Sequence, residues 1–361
     1  MKYLVLLLSL AGATCLGAQP VPGSPAGVDG LTPEDVAKAV SAIKENYVRP
    51  GSLSDVEMER ATLQGLLDRL APAVSLVIRS GSGAEAETAS PFYSEAYDAN
   101  TGYLRVGKLT GENVEKTAEM LKAWKGKGVG AAVLDLRGTA ASSDYDDAAG
   151  LAGLFCAKGT ELFSLTAPSH EGAHPGPNSA SGLSPTQTRT FSAGADPLFK
   201  GILVVLVDAD TAEAPEAVAA VLQQCAKALV VGDKTAGRAY QFSDVPLNGA
   251  LLRVAVAEVI LADGKEPGEN GLRPDIIVGI GPAGKKEVMR SITAKGVASV
   301  TNEHDRPHLN EAALVSGSNP EVDELEAEQS GQKKAAGLID RQLQRALDLV
   351  TSISIFRAKG G

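Results

Sequence analysis

Residues 201–242 hold the groups best placed for chemistry. They read as an apolar strand, Ile202 to Val207, a helix from about Ala214 to Ala226, and a second short strand, Ala228 to Val231, ending in Gly232-Asp233. Thr211 and Glu213 fall where the helix begins, and Lys234 and Arg238 fall just past the second strand. Nucleophilic catalysis through a hydroxyl needs a base beside it, and lysine can be that base only where burial lowers its pKa. Glu213 does not fill the first role, because a carboxylate is a poor acyl acceptor. Arg238 does not fill the second, because a guanidinium stays protonated to above about pH 12. Thr211 and Lys234 remain as a hydroxyl and an amine in the same stretch. A threonine at a helix start is usually a cap or turn former, and a lone lysine is usually solvated.

Other spacings carry weaker signals. Gly279-Ile280-Gly281-Pro282-Ala283-Gly284 fits the dinucleotide pattern G-x-G-x-x-G, follows the apolar Ile276-Ile277-Val278, and has Glu303 nearly 20 residues on. Too little chain follows for the rest of a Rossmann sheet, so a turn ending the last core strand is the simpler reading. His170 and His174 have a spacing that shares a metal on a helix, but Gly172 and Pro175 forbid the helix. His304 and His308 flank Arg306-Pro307 and read as loop residues. Asp144, Asp146 and Asp147 suit a helix start, where acids meet the positive end of the dipole. No cofactor and no metal is expected.

These groups need a scaffold, and the pattern of the chain supplies an α/β one. The 361 residues suffice for one large core or two modest domains. A net charge of −10 argues against nucleic acid and against anionic membranes as partners. Lys2, the apolar Leu4 to Leu10, and Gly17-Ala18 read as a cleavable secretory leader over residues 1–18. Cys15 raises lipidation as an alternative, against a poor surrounding motif. Of Cys156 and Cys225, two buried thiols are favoured over a disulfide, since a domain of this size needs no staple. Residues 19–79 form a helical segment: Thr32-Pro33-Glu34-Asp35 opens one helix, with Val36, Val40, Ile43 and Tyr47 at helical spacing, and Leu63, Leu66, Leu67 and Leu70 line a second. Residues 80–91 read as a linker. Alternating strands and helices over 92–280 argue a largely buried sheet. Within it lie strands around 92–97 and 102–106, a helix with Val114, Ala118, Leu121 and Trp124 inward, a strand from Ala131 to Leu136, and a long strand from Leu251 to Leu261. The extension 281–361 holds an acidic linker at 317–331 and a last amphipathic helix with Ile339, Leu343, Leu347 and Val350.

Four blocks in this order resemble the tail-specific, or C-terminal processing, serine peptidases. They are Leu134-Asp135-Leu136-Arg137-Gly138, the helix around Thr211 to Gln224, Val230-Val231-Gly232-Asp233 through Gly237, and Gly271-Leu272-Arg273-Pro274-Asp275-Ile276. The resemblance implies a crotonase-like, ClpP-type core of strands and helices. It puts the family's nucleophile, acid and base at Glu213, Gln224 and Arg238, and the family's Asn-Pro-Gly-Gly, whose amides turn to the oxyanion, at Thr139-Ala140-Ala141-Ser142. It implies that Glu213 and Arg238 face each other as an ion pair, with two separate solvated charges as the alternative. Many relatives carry a PDZ domain where residues 80–91 stand here. The expectation is an exported, periplasmic protein that has lost its peptidase site and binds polypeptide or a protein partner. The alternative is an active peptidase acting on polypeptide C-termini through the displaced pair Thr211/Lys234.

Overall fold

A computed structural model describes residues 28, 30–49, 52–78, 90–167, 188–267, 270–279, 281–301 and 338–360. The leader, residues 80–89 of the first linker, the four histidines and the acidic linker lie outside them. The chain divides into two compact units, residues 1–69 and 70–361.

Among its described residues the first unit holds two helices, α1 (Pro33–Asn46) and most of α2 (Asp55–Leu70). Thr32 caps α1 by accepting from the Asp35 amide, with proline in the first turn, as the sequence predicts. No residue of either helix is buried.

The second unit is built on two sheets. Six strands lie in the order β11-β8-β7-β4-β3-β2: β2 (Tyr93–Ala96), β3 (Thr101–Arg105), β4 (Ala131–Asp135), β7 (Ile202–Val207), β8 (Leu229–Gly232) and β11 (Ile276–Ile277). All neighbours are parallel except β2 with β3. The apolar strands of residues 131–135 and 202–207 are buried on both faces, as inner parallel strands must be. Their residues alternate between two cores. Ala132, Leu134, Leu203, Val205 and Val207 face one, while Ala131, Val133, Ile202, Val204 and Leu206 face the other.

The first core is closed by α3 (Gly111–Lys127), α4 (Tyr145–Gly153), α5 (Ala214–Cys225) and the second, antiparallel sheet. That sheet runs β1 (Val74–Ile78), β10 (Ala250–Leu261), β5 (Glu161–Thr166), β6 (Thr188–Ser192), with β9 (Tyr240–Leu247) also paired to β10. The second core is covered by α6 (Pro282–Lys295), a 3₁₀ turn (Val297–Val300) and α7 (Arg341–Gly360), which contributes Leu343, Ala346, Leu347 and Val350.

One buried cluster fastens α7 to the sheet. Arg137 is fully buried and holds Asp135 through Nε and Nη2 (2.9 and 2.7 Å), Asp340 through Nη1 and Nη2 (3.0 and 2.7 Å) and Gln342 Oε1 (2.8 Å). Tyr103 donates to Asp135 at 2.7 Å. Burial, then the Asp135 charge, pushes the Tyr103 phenol well above its ordinary pKa. Burial works against the Arg137 charge, but Asp135 and Asp340 outweigh it and hold the guanidinium protonated. The Leu-Asp-Leu-Arg block therefore ends a strand and anchors a helix some 200 residues away (sequence separation 203).

One expectation changes here, and two hold. Cys156 and Cys225 are disulfide-bonded, with Cα atoms 5.9 Å apart. The argument from domain size gave no weight to the packing of α4 against α5, which brings their C-terminal ends together. The Asp144 group is a helix start: Asp144 caps α4 by accepting from the Asp147 amide, and Asp146 pairs with Arg189. Gly279 and Gly281 lie in the turn from β11 into α6.

Candidate functional site

The end of β7 turns through Asp208, whose Oδ1 accepts from the amides of Asp210 and Thr211 (3.1 and 3.0 Å). The Thr211 hydroxyl donates to the same oxygen at 3.0 Å and accepts from the Asp208 amide at 3.1 Å. Lys285 of α6 reaches Asp208 Oδ2 at 2.9 Å and also pairs with Asp210. Burial opposes the Lys285 charge, yet Asp210 and Asp208 raise its pKa. This turn delivers Glu213 to the start of α5 with φ 58° and ψ −132°. A side chain with a Cβ reaches that backbone region only under strain of about 1–3 kcal/mol. Sharp strand-to-helix turns of this kind present a side chain above a sheet edge.

The Glu213 carboxylate is buried and occupied. Oε1 accepts from Arg253 Nη1 at 2.9 Å, and Oε2 accepts from Ser143 Oγ at 3.2 Å. Arg253 comes from β10, where it sits opposite Asp244 of β9. Its Nε donates to Asp244 Oδ1 at 3.0 Å, and its guanidinium lies 4.7 Å from the centre of the Phe242 ring. Partial burial opposes the Arg253 charge, while Glu213 and Asp244 hold it. The backbone around Glu213 is equally engaged. Its amide donates to the Arg238 carbonyl at 3.2 Å, and the Ala214 amide donates to the Ser142 carbonyl at 2.9 Å.

Arg238 stands at the other side of this junction, held by its main chain. One turn into α5, the fully buried Glu216 accepts through Oε1 from Thr235 Oγ1 and the Gly237 amide (2.8 Å), and through Oε2 from the Arg238 amide (2.8 Å). Gly237 takes φ 68°, and a Cβ there would meet the Asn270 carbonyl carbon at 2.7 Å, so the turn demands glycine. Tyr145 closes the floor, donating to the Tyr240 carbonyl at 2.9 Å. Burial, then the charges of Glu213 and Glu216, pushes its phenol pKa well up. Three buried polar atoms nearby in the fold have no protein partner: Thr139 Oγ1, Arg238 Nε and Gln241 Oε1.

The structure thus brings Glu213 and Arg238 together through a backbone hydrogen bond, but the expected ion pair is replaced. Glu213 pairs with Arg253, because β10 projects its guanidinium toward the elbow. Gln224 is not part of the site. It lies near the far end of α5, about 16 Å along the axis from Glu213 by helical rise, and bonds Asp263. Thr211 and Lys234 are not a dyad. The Thr211 side chain is sealed and spent on Asp208, and Lys234 is exposed.

Sequence reasoning missed Glu216, Arg253, Ser143 and Tyr145. Only Glu216 left a signal: it is the one charged residue in Ala214-Pro215-Glu216-Ala217-Val218-Ala219-Ala220-Val221-Leu222, every member of which is buried. A charge in such a stretch needs partners.

A model of peptidase family S41 matches residues 100–278, which include every residue of the elbow and both sides of the junction. The chain belongs to the tail-specific, S41 protease family. A carboxyl-terminal-processing protease of a Picosynechococcus species is 25% identical over 278 residues, 73% of this chain and 61% of that protein. The carboxy-terminal processing protease CtpA of Bacillus subtilis is 23% identical over 273 residues, 71% of this chain and 52% of that protein. This S41 chain therefore spans between half and two thirds of the curated relatives it matches. Among solved structures, the photosystem II D1 C-terminal processing protease superposes with a TM-score of 0.39 at 22% identity, over 57% of this chain and 48% of that one.

Proposed function

We propose that this S41 protein is an exported, non-catalytic member that receives a polypeptide segment at the former active site. What carries the reading is Glu213. The residue on the strained elbow offers no nucleophile, and its carboxylate is locked between Arg253 and Ser143. Two further observations support it. The amides of residues 213 and 214, best placed to face an oxyanion, already donate to backbone carbonyls. Arg238 keeps its guanidinium where a base would be required.

A polypeptide fits the groups left over. The half-exposed Arg238 and Gln241 side chains at the head of β9 carry donors and an acceptor, and a peptide unit offers one of each in return. Beyond them β9 pairs with β10 alone among the described strands, so its other edge is free to take an extended chain. The interval of residues 80–91 is short at the place where many relatives carry a PDZ domain, in keeping with recognition on the core itself. Export rests on the leader-like residues 1–18, and the Cys156–Cys225 disulfide suits an oxidising compartment such as a periplasm.

The test is a fluorescence-anisotropy titration of the mature protein with a labelled, carboxymethylated unfolded polypeptide, run beside a turnover assay on the same substrate. Saturable binding that weakens tenfold or more in Arg238→Ala, with no cleavage, is expected. Cleavage that depends on Thr211 or Lys234, or no binding at all, overturns the reading.

A further inference from the structure

A cavity of about 320 Å³ opens beside the start of α7, lined by Val278, Ile339, Arg341, Gln344, Arg345 and Asp348. It belongs to the face of the six-stranded sheet that α6 and α7 cover, opposite the face that carries α5 and its elbow. Val278 follows β11 and donates its amide at 2.9 Å to the carbonyl of Gly232, the last residue of β8. The cavity therefore sits at the carboxyl edge of five parallel strands, β3, β4, β7, β8 and β11. That is the edge where open α/β sheets receive ligands, and the volume is that of a small-molecule site.

Arg341 and Arg345 lie one turn apart on the same side of α7. Like charges at that spacing repel, and cations in the first turns oppose the helix dipole. Both side chains are exposed, and among the described residues neither makes a hydrogen bond or an ion pair. An acid is at hand in Asp348, yet its Oδ1 accepts from Gln344 Nε2 at 3.0 Å instead. The turn that carries the arginines is nevertheless fixed. Asp340 caps it by accepting from the Gln342 and Leu343 amides, both at 3.1 Å, and is itself held by Arg137. The buried Gln342 accepts from Arg137 Nη1 at 2.8 Å and donates to the Val278 carbonyl at 2.6 Å, which ties one wall of the cavity to the other.

We propose that this cavity binds a small organic carboxylate, its head held by the Arg341 and Arg345 guanidiniums and its apolar body laid against Val278 and Ile339. Two guanidiniums and the Asp348 carboxylate leave one net positive charge on the lining, which a single carboxylate neutralises. The planar fork of arginine matches the two oxygens of that group. A cation would meet two like charges, and a neutral ligand would leave both guanidiniums unpaired. A bare inorganic anion would leave the apolar wall in contact with water. The pair of like charges on a fixed turn is a local conflict in the fold, and such conflicts gather at functional sites. The site stands apart from the elbow and rests on nothing read there.

The experiment is isothermal titration calorimetry of the full chain with 4-phenylbutyrate, beside the uncharged 4-phenylbutanamide and inorganic phosphate. Saturable binding of 4-phenylbutyrate is expected with a Kd on the order of 0.1–1 mM, which a ligand of that size can reach. The amide lacks the charge and phosphate lacks the apolar body, so each should bind about tenfold more weakly or worse. Arg341→Ala and Arg345→Ala should each raise the Kd about tenfold, and the double variant should not saturate. Arg357→Ala, three turns further along α7, should bind as wild type does. All three arginines are exposed, so the urea midpoint should stay in place in every variant; that separates a lost site from a lost fold. Four results overturn the proposal: no binding of 4-phenylbutyrate up to about 20 mM, an amide or phosphate that binds as tightly, a double variant that binds as wild type does, or an equal loss in Arg357→Ala, which would mean diffuse attraction to a basic helix.

Discussion

Glu216 should be the most consequential single side chain near the elbow, and Glu216→Ala measures it. Its carboxylate is fully buried and receives the Thr235 hydroxyl and the amides of Gly237 and Arg238. Alanine removes the acceptor and leaves three donors in the interior, each worth about 1–3 kcal/mol when stranded. Two effects work the other way. The cost of burying a charge disappears, and the polar hole can admit a water that satisfies part of the set. The balance is a loss of about 3–5 kcal/mol. Glu216→Gln keeps the shape and one oxygen but turns an amide donor toward another donor, and should lose about 1–3 kcal/mol. Urea unfolding reads both as a fall in midpoint at unchanged slope. Hydrogen exchange should locate the damage, with the amides of Gly237 and Arg238 losing protection first. A Glu216→Ala midpoint that corresponds to less than about 1 kcal/mol would show that the 235–238 turn is held by something else and refute the reasoning.

Three other outcomes are expected. Replacing Cys156 and Cys225 together by alanine opens a link between residues 69 apart in sequence and should cost about 4 kcal/mol by the loop-entropy estimate, read by urea unfolding under non-reducing conditions; equal midpoints would mean that the unfolded chain gains nothing from the link. Stability should fall as pH rises above 10, because unfolded tyrosines ionise near 10.0 while burial holds Tyr103 and Tyr145 protonated and pushes Tyr93 to about 12; Lys285, raised despite burial by Asp210 and Asp208, adds to the same fall. A urea midpoint flat from pH 9 to 11.5, or one whose fall is no shallower in Tyr145→Phe, contradicts this. Glu213→Ser with Arg238→Lys should still fail to hydrolyse an unfolded substrate, since the amides of residues 213 and 214 stay engaged with Arg238 and Ser142 and each missing oxyanion donor costs about 10²–10³-fold; clear turnover by this double variant would show that the amides are free to turn.

What the sequence disclosed follows the range of the interactions involved. Strands β4, β7 and β8 are local apolar runs, and the caps at Thr32 and Asp144 are set by neighbours three residues away. Such features are legible because their causes are adjacent in the chain. The place of Glu213 was legible for the same reason: it sits at a fixed offset between a strand and a helix. Its partner was not. Arg253 is 40 residues further on, one of many positions in a long strand, and it faces the elbow only because β10 pairs with β9 in one register, with a shift between Ala255 and Ala257. Gln224 was misplaced through position alone. It lies eleven positions on from Glu213 along a helix, and a helix carries its two ends apart. The Arg137 cluster was half legible, as a strand end whose meaning depends on Asp340 and Gln342 far down the chain.

The elbow at Glu213 bears on how this S41 scaffold holds a strained turn in place. A positive φ on a non-glycine residue costs free energy unless its surroundings impose it, and here they do so from three sides. The Arg238 carbonyl holds its amide, Ser142 holds the next one, and Arg253 and Ser143 hold the carboxylate. An isolated strained residue would relax, and a glycine would remove the strain altogether. Glutamate at this position instead directs a charge into the junction of α5 and β10, where it ties the turn to the hairpin that flanks it. The turn aims a carboxylate at an arginine. The strain is thus offset by a cross-link between two elements, and the junction becomes a fixed wall beside the free edge of β9. A rigid wall beside an unpaired strand edge supports the proposed docking of an extended polypeptide.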